Sequence, residues 1–357
     1  MGLVHTGRGK CFAGDTREGD RPVSDSQTGE RVRRRPTLDD VAKAANVSMM
    51  TVSRVLKNSP HVLPETRERI LAEIDRLGYR PSHSARALRS GESKLISILE
   101  PNLLVPLHID IMQGARDAAT RHGYRLLLHV DSTETTQGGA FAADGELVMG
   151  RNLEEMTGFD PNRTVIVNGE ASTIDACTTD LPAVTHTAIT HLVEAGYRRI
   201  ALMQVLGNSP LVGYQSAMKM AGLPQDPDLV EIVGHHRDSL AQGVRKLMAL
   251  PQPPDAIAVV HTAGTPFALE ELQRLGYTIG RDIGFLGTEV NHIDWGMIMN
   301  PRLTAIRIPG YDIGYAACER LIARLQGDDS PVQTITLPSR LIVRESTPGP
   351  VTPATRV

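Results

Sequence analysis

Between Thr37 and Leu77, apolar residues recur at helical spacing in three stripes. Leu38, Val41, Ala42 and Ala45 form the first; Val52, Val55 and Leu56 the second; Ile70, Ile74 and Leu77 the third. The spacing predicts three short helices. Their ends are marked by local chemistry. Thr37 reads as an N-cap with Asp40 at the third helical position, a variant of the capping box. Asn46 tolerates the left-handed turn that ends the first helix, and Ser48 caps the second. Pro64 suits a first helical turn, and Gly78 ends the third helix. Two short helices joined by a tight turn follow the helix-turn-helix plan. Met49, Met50, Ser53, Arg54 and Lys57 are left for the outer face of the second helix.

From Lys94 onward the period changes. Short apolar runs such as KLISILEP and RLLLHV alternate with amphipathic stretches such as HIDIMQGARDAATRHGY. That alternation is the βαβ pattern of a parallel sheet. The fold class expected is therefore α/β, preceded by an all-helical helix-turn-helix domain. The boundaries expected are a disordered tail at 1–35, the helical domain at 36–80, and a hinge helix and linker at 81–93. The body spans 94–345, and a second disordered tail follows at 346–357.

Composition narrows the classes. The chain has 357 residues, enough for two or three domains at roughly 100–200 residues each. No apolar run is long enough to span a membrane, and the first twenty residues lack the apolar core of a secretory signal. The three cysteines, Cys11, Cys177 and Cys318, are far apart and form no CxxC pair, which fits a reducing cytoplasm. Aromatic residues make up 4%, too few for a base-stacking platform on single strands. The net charge of −3 is uneven along the chain. Residues 1–94 hold 18 Lys and Arg against 12 Asp and Glu, net +6; residues 95–357 hold 20 against 29, net −9. A basic head on an acidic body fits a nucleic-acid-binding module joined to something else, and equally a basic tail. No HExxH, GxSxG, P-loop or GxGxxG pattern stands in a suitable context, so neither catalysis nor a cofactor is expected.

The order of residues in the head is more specific than its geometry. TLDDVAKAANVSMMTVSRVL, and the sequence on to ARALRS, resembles the N-terminal domain of the LacI/GalR family of bacterial regulators. The resemblance implies double-stranded DNA as partner and a homodimer on a pseudo-palindromic operator. It places Leu38 near the DNA backbone and makes Met49, Met50 and Arg54 the base-reading positions. Ser48, Thr51, Ser53, Lys57 and His61 would lie near phosphates or base edges. Arginine suits bidentate contact with guanine, whereas methionine can touch only thymine methyls. The alternative for the methionines is a place in the small core. The linker matches the family hinge, with Ala85 and Leu88 in its helix; two hinge helices would pair in the minor groove, and Leu88 would wedge between base pairs. The alternative for Leu88 is an ordinary linker position.

Residues 94–345 resemble the family's periplasmic-binding-protein-like core, in stretches such as ITHLVEAGYRRIALM and NPRLTAIRIPGYDIGYAACERLIARLQG. The resemblance implies two Rossmann-like lobes with a small-molecule effector, typically a carbohydrate, in the cleft between them. Two departures stand out. LLLHV and ADGELVMG read as neighbouring parallel strands, yet only Asp131 to Phe141 separates them. A parallel crossover needs about a dozen residues or more, so the first lobe is expected to lack one crossover helix and to uncover a sheet face. The family's usual effector residues are also altered. Candidates here are Asn168, Glu170, His261, Glu289, Asn291 and Trp295, each of which could equally be a loop or capping residue. The function expected is a cytoplasmic, nucleoid-associated regulator, a repressor by resemblance, controlled by a small metabolite. The alternative is a DNA-binding regulator whose effector pocket has degenerated.

Overall fold

The computed structural model describes residues 36–350, apart from 57, 81–91, 101–104, 131–142, 151–157, 170–172, 205–208 and 293. Both expected tails lie largely outside that range, as do the crossover 131–142 and most of the hinge.

The chain divides into two compact units, residues 1–82 and 83–357. The first contains α1 (Leu38–Ala44), α2 (Met49–Leu56) and α3 (Pro64–Leu77). Thr37 caps α1 reciprocally: its hydroxyl accepts from Asp40 N, and its own N–H donates to the Asp40 carboxylate at 2.7 Å. Asn46 takes φ 49° and Gly78 φ 63°, the left-handed turns that end α1 and α3. The apolar stripes meet in one small core of Val41, Ala42, Ala45, Val52, Val55, Ile70 and Tyr79.

The second unit holds two six-stranded sheets. Its strands are β1 (Leu95–Glu100), β2 (Arg125–Val130), β3 (Gly145–Met149), β4 (Thr164–Val167) and β5 (Asp175–Thr178), then β6 (Ile200–Gln204) and β7 (Val230–Ile232). There follow β8 (Ala256–Val260), β9 (Gly284–Glu289), β10 (Thr304–Arg307), β11 (Thr334–Thr336) and β12 (Arg340–Ile342). The first sheet runs β11-β5-β4-β3-β1-β2, and the second β12-β10-β9-β8-β6-β7. All pairings are parallel except β10 with β12. The chain thus crosses between lobes three times: after β5, after β10 and after β11.

Among the described residues, helices follow β1 and each of β5 to β10, as the alternation predicts. They are α4 (Pro106–Arg121), α5 (Leu181–Glu194), α6 (Ser209–Met220), α7 (Arg237–Met248), α8 (Thr265–Arg274), the short α9 (Trp295–Ile298) and α10 (Gly310–Leu325). On the first lobe, α4 and α10 cross at paired glycines. A Cβ on Gly114 would stand 1.9 Å from the Tyr311 carbonyl oxygen, and one on Gly314 1.9 Å from that of Ile111. Only glycine permits that approach. Arg320 and Arg324 of α10 both donate to buried Asp175 of β5, each through Nε at 2.7 Å, and Gln333 N donates to the same carboxylate at 2.9 Å.

The core is uneven. One face of the second sheet packs Ala201, Met203, Val259 and Phe285 against Leu240, Val244 and Leu247 of α7 and Ala268, Leu269 and Leu272 of α8. Among the described residues the corresponding cluster of the first sheet is Leu99, Val148, Ile166, Ile174 and Ala176, with Phe159 at its edge. Among the described residues no helix stands between β2 and β3. The edge strand β2 leaves Leu127, Leu128 and Val130 exposed by 36%, 44% and 50%.

Two sequence expectations need correction. β2 and β3 are not neighbours, because β1 lies between them, with Leu95 opposite Arg125 and Ile96 opposite Gly145. Strand pairing is set by packing over the whole sheet, which a local run of apolar residues does not encode. The C-terminal tail also begins later than position 346. Ser346 is fully buried; its hydroxyl accepts from Thr304 N at 2.8 Å and donates to the Phe285 carbonyl. Thr347 pairs with Thr304 Oγ1 and His191 Nε2, each at 2.8 Å. These hydrogen bonds replace the polar group's lost water and hold the segment in place.

The start of the body is fixed by one carboxylate. Asp144, just before β3, accepts from Ser93 N at 2.7 Å, Ser93 Oγ at 2.8 Å and Lys94 N at 2.8 Å. Lys94 itself is held at φ 53°, a left-handed conformation uncommon for a long side chain.

Candidate functional sites

In the head, α2 turns Val52 and Val55 into the core and leaves Met49 and Met50 exposed by 51% and 64%. The methionines therefore stand on the outer face and not in the small core. Arg54 and His61 are exposed, Ser53 is half-buried, and Leu38 packs at the rim of the core. Ser48 Oγ accepts from Thr51 N at 3.2 Å and pairs with the Thr51 hydroxyl at 2.9 Å, capping α2. Arg67 of α3 donates to Asn58 Oδ1 at 3.0 Å and to the Ser59 carbonyl. It pins the loop that carries His61. Lys57, Ala85 and Leu88 lie outside the described residues.

In the body, a cavity of about 340 Å³ lies between the lobes at the C-terminal ends of the strands, the usual ligand position in open α/β sheets. The first lobe contributes Val105 and Leu107, His108 of α4, Gly150 after β3, Asn168 after β4, and Thr179 and Leu181 after β5. The second contributes His235 after β7, Val260, His261 and Thr262 at the end of β8, Thr288 of β9 and Ile308 after β10. Asn168 reaches its place through a left-handed turn at φ 56°, its N–H donating to the Cys177 carbonyl at 2.8 Å.

Three imidazoles meet here from the two lobes. His108 Nδ1 stands 3.0 Å from Oε1 of buried Glu100, and His235 Nδ1 stands 2.9 Å from His261 Nε2. Burial, and then the neighbouring His235, push His261 down to about 4. Burial, with His108 and His236 nearby, lowers His235 as well. Both rings are held toward the neutral form, so a single proton lies between them. Two polar atoms on lining residues, His261 Nδ1 and Thr288 Oγ1, are buried with no hydrogen-bond partner; such atoms are rare in native interiors and ask for an explanation.

Of the six residues expected to hold an effector, Asn168 and His261 line the cavity. Glu289 does not. Its carboxylate accepts from Arg307 at 2.9 and 2.6 Å and from both terminal nitrogens of Arg344 at 3.2 Å, and Gly296 N donates to it at 3.3 Å. A buried carboxylate needs that compensation, and two guanidiniums supply it. Asn291 is exposed and contributes its backbone, whose N–H donates to buried Asp110 of α4 at 2.7 Å. Trp295 opens α9, but its side chain lies outside the described set, as does all of Glu170. The sequence reading missed His108, His235, Thr262 and Thr288. Three of them sit in or just after a strand, and that position was the usable signal. His108 looked like part of an ordinary helical face.

An outward-facing second helix in a three-helix head, and a two-lobed parallel-sheet body with an interlobe cavity, define a DNA-binding regulator with a ligand-binding core. Comparison with known proteins agrees. Residues 37–82 match the family model for bacterial regulatory proteins of the lacI family, and residues 189–347 match the periplasmic binding protein-like domain. The chain is 31% identical to the HTH-type transcriptional regulator PtxS of Pseudomonas aeruginosa, over 88% of this chain and 96% of that protein. It is 27% identical to catabolite control protein A of Priestia megaterium, over 87% and 99%. Its fold matches the lac repressor dimer bound to operator and the anti-inducer ONPF, with a TM-score of 0.75 at 21% identity over 88% and 99% of the two chains. It also matches the CelR–cellobiose complex, with a TM-score of 0.63 at 23% identity over 87% and 100%. The chain belongs to the LacI family and is a DNA-binding transcriptional regulator. Among the described residues no helix is long and apolar enough to cross a membrane.

Proposed function

We propose that this regulator binds a pseudo-palindromic operator as a homodimer, and that a small metabolite in the interlobe cavity controls its affinity for DNA. It acts in the cytoplasm, on the nucleoid, without catalytic chemistry. Met49, Met50 and Arg54 read bases; Ser48, Thr51, Ser53, Lys57 and His61 contact phosphates or base edges, with Leu38 beside the backbone. Ala85 and Leu88 of the 81–93 hinge enter the minor groove. Asn168 and His261 belong to the effector site, with His108, His235 and Thr288. The observation that carries the effector reading is the cavity itself, lined from both lobes at the strand ends. A ligand touching both lobes changes their relative stability and is thereby coupled to the rest of the chain. Sugars are the first class to test, because a relative by fold was solved with cellobiose.

A second reading, regulation without a small-molecule inducer, is favoured by one observation: Glu289, the acid expected to meet the effector, is neutralised internally. One experiment separates the two. Operator fragments are selected from genomic DNA with the full chain, and their affinity is measured with and without a metabolite panel. A compound that changes operator affinity at least about tenfold, about 1.4 kcal/mol of coupling, supports the first reading. Tight operator binding that no metabolite changes supports the second. Arg54→Ala should cost about 1–3 kcal/mol at one operator position; a loss equal for all sequences would make Arg54 a phosphate contact.

A further inference from the structure

We propose that Arg67 of α3 is a positioning residue for DNA binding: its guanidinium holds the loop between α2 and α3 in the shape that presents His61 and the end of α2 to the operator. The inference rests on the reading of His61 as a DNA contact. It goes beyond that reading, since the contacts assigned to the head do not include Arg67.

The loop is a chain of local bonds with one long-reaching tie. α2 ends in a left-handed turn at Asn58, φ 56°. Asn58 N donates to the Val55 carbonyl and Ser59 N to the Arg54 carbonyl, each at 3.0 Å, the paired bonds of a Schellman cap. Ser59 is thereby tied to the backbone of a base-reading residue. Ser59 Oγ in turn accepts from His61 N at 3.4 Å, and Val62 packs against the small core of the head. Glycine takes a left-handed turn at no steric cost, so an asparagine there points to a use for its side chain. That use is Arg67, which donates through Nη1 to Asn58 Oδ1 at 3.0 Å and through Nη2 to the Ser59 carbonyl.

The two acceptors lie on consecutive residues. A planar guanidinium reaches both from one rigid fork, which a lysine ammonium does not reproduce. Both acceptors are neutral, so the positive charge stays beside a segment that has to approach phosphates. Elsewhere in the head, Lys43 faces Asp39 at 2.6 Å and Arg76 faces Glu73 at 2.7 Å, each pair within one helix. Arg67 instead joins α3 to the loop eight and nine residues before it. Hydrogen bonds at the surface add little to stability, and the core of Val41, Val52, Val55 and Ile70 is built without these groups. A loop already held in shape has less ordering left to do when DNA arrives. The bonds of Arg67 therefore act on binding more than on folding.

The test uses the full chain and an operator fragment selected from genomic DNA, with a random duplex of the same length as control. Arg67→Lys keeps the charge and loses the fork; Asn58→Gly keeps the left-handed turn and loses the side-chain acceptor. Binding is titrated across a range of salt, and amide hydrogen exchange is followed along the head. Arg67→Lys is expected to weaken operator binding about tenfold or more and random-duplex binding less. Exchange should speed at Ser59 and His61 while Val52, Val55 and Ile70 stay protected. Asn58→Gly should move both readouts the same way by less, and add little when combined with Arg67→Lys. Unchanged operator affinity in Arg67→Lys, with a salt slope lower by about one in Arg67→Ala, makes Arg67 a direct phosphate contact and overturns the inference. Exchange that stays slow at Ser59 and His61 in Arg67→Lys overturns it too. So does exchange that speeds through the whole core, which makes Arg67 a residue of the fold alone. All three leave the reading of His61 standing. His61→Ala that binds the operator like the parent removes that reading, and this inference with it.

Discussion

The two lobes share a six-stranded plan and differ in how their outer faces are covered. In the second, α7 and α8 bury one face of the sheet completely, and Phe285 has no exposure. In the first, the matching face carries, among the described residues, a cluster of five buried side chains, and β2 stands at the edge with Leu127, Leu128 and Val130 exposed. The strands themselves are equally apolar. A parallel sheet is buried by what its crossovers lay across it, and in the second lobe those crossovers are α7 and α8.

The largest effect expected from breaking this contrast is on stability. Phe285→Ala should cost about 3–5 kcal/mol, while Leu128→Ala on β2 should stay within about 0.5 kcal/mol; urea titrations of both variants give the comparison. A large loss at Leu128 would show that β2 is covered in solution. Next comes the helix crossing on the first lobe. Gly314→Ala forces α4 and α10 apart and should cost about 1–3 kcal/mol, seen as a lower melting temperature. A neutral result would mean the crossing adjusts freely.

Acid should separate the lobes by window. His261, in the second lobe, titrates at about 4 when folded and at about 6.5 when unfolded. Across that window the unfolded chain binds more protons, so stability falls as the pH falls. Asp175, in the first lobe, is pushed up by burial, but Arg324 and Arg320 outweigh that and hold it below the usual carboxylate range. Its contribution is full above about pH 4 and lost only as the pH falls through its own lowered value. His261→Gln should therefore flatten the upper limb of the stability curve, and Asp175→Asn the lower. Denaturant melts at successive pH values measure both; an unchanged upper limb in His261→Gln would assign that limb to another group.

What the sequence disclosed depended on how local the cause was. Thr37, Asp40, Asn46 and Gly78 act within a turn of themselves, so the helices of the head could be placed from them alone. The alternation of strands and helices in the body was legible for the same reason. Strand order was not, since nothing in RLLLHV or GELVM states that β1 will come between them. Asn168 and His261 were found because they follow strands. Glu289 ends a strand, but its partners come 18 and 55 residues later, and only the folded chain shows that its carboxylate is spoken for. The missed imidazoles tell the same story: His108 and His235 belong to different lobes and become neighbours of one cavity only through the crossovers.

Asp144 closes the short segment that follows β2, and it also grips Ser93 and Lys94, where the linker enters the body. Two stretches of chain far apart in sequence are thus moored to a single carboxylate. One side chain therefore fixes both where β1 begins and where β3 begins, so Asp144→Ala would loosen the two strand entries together.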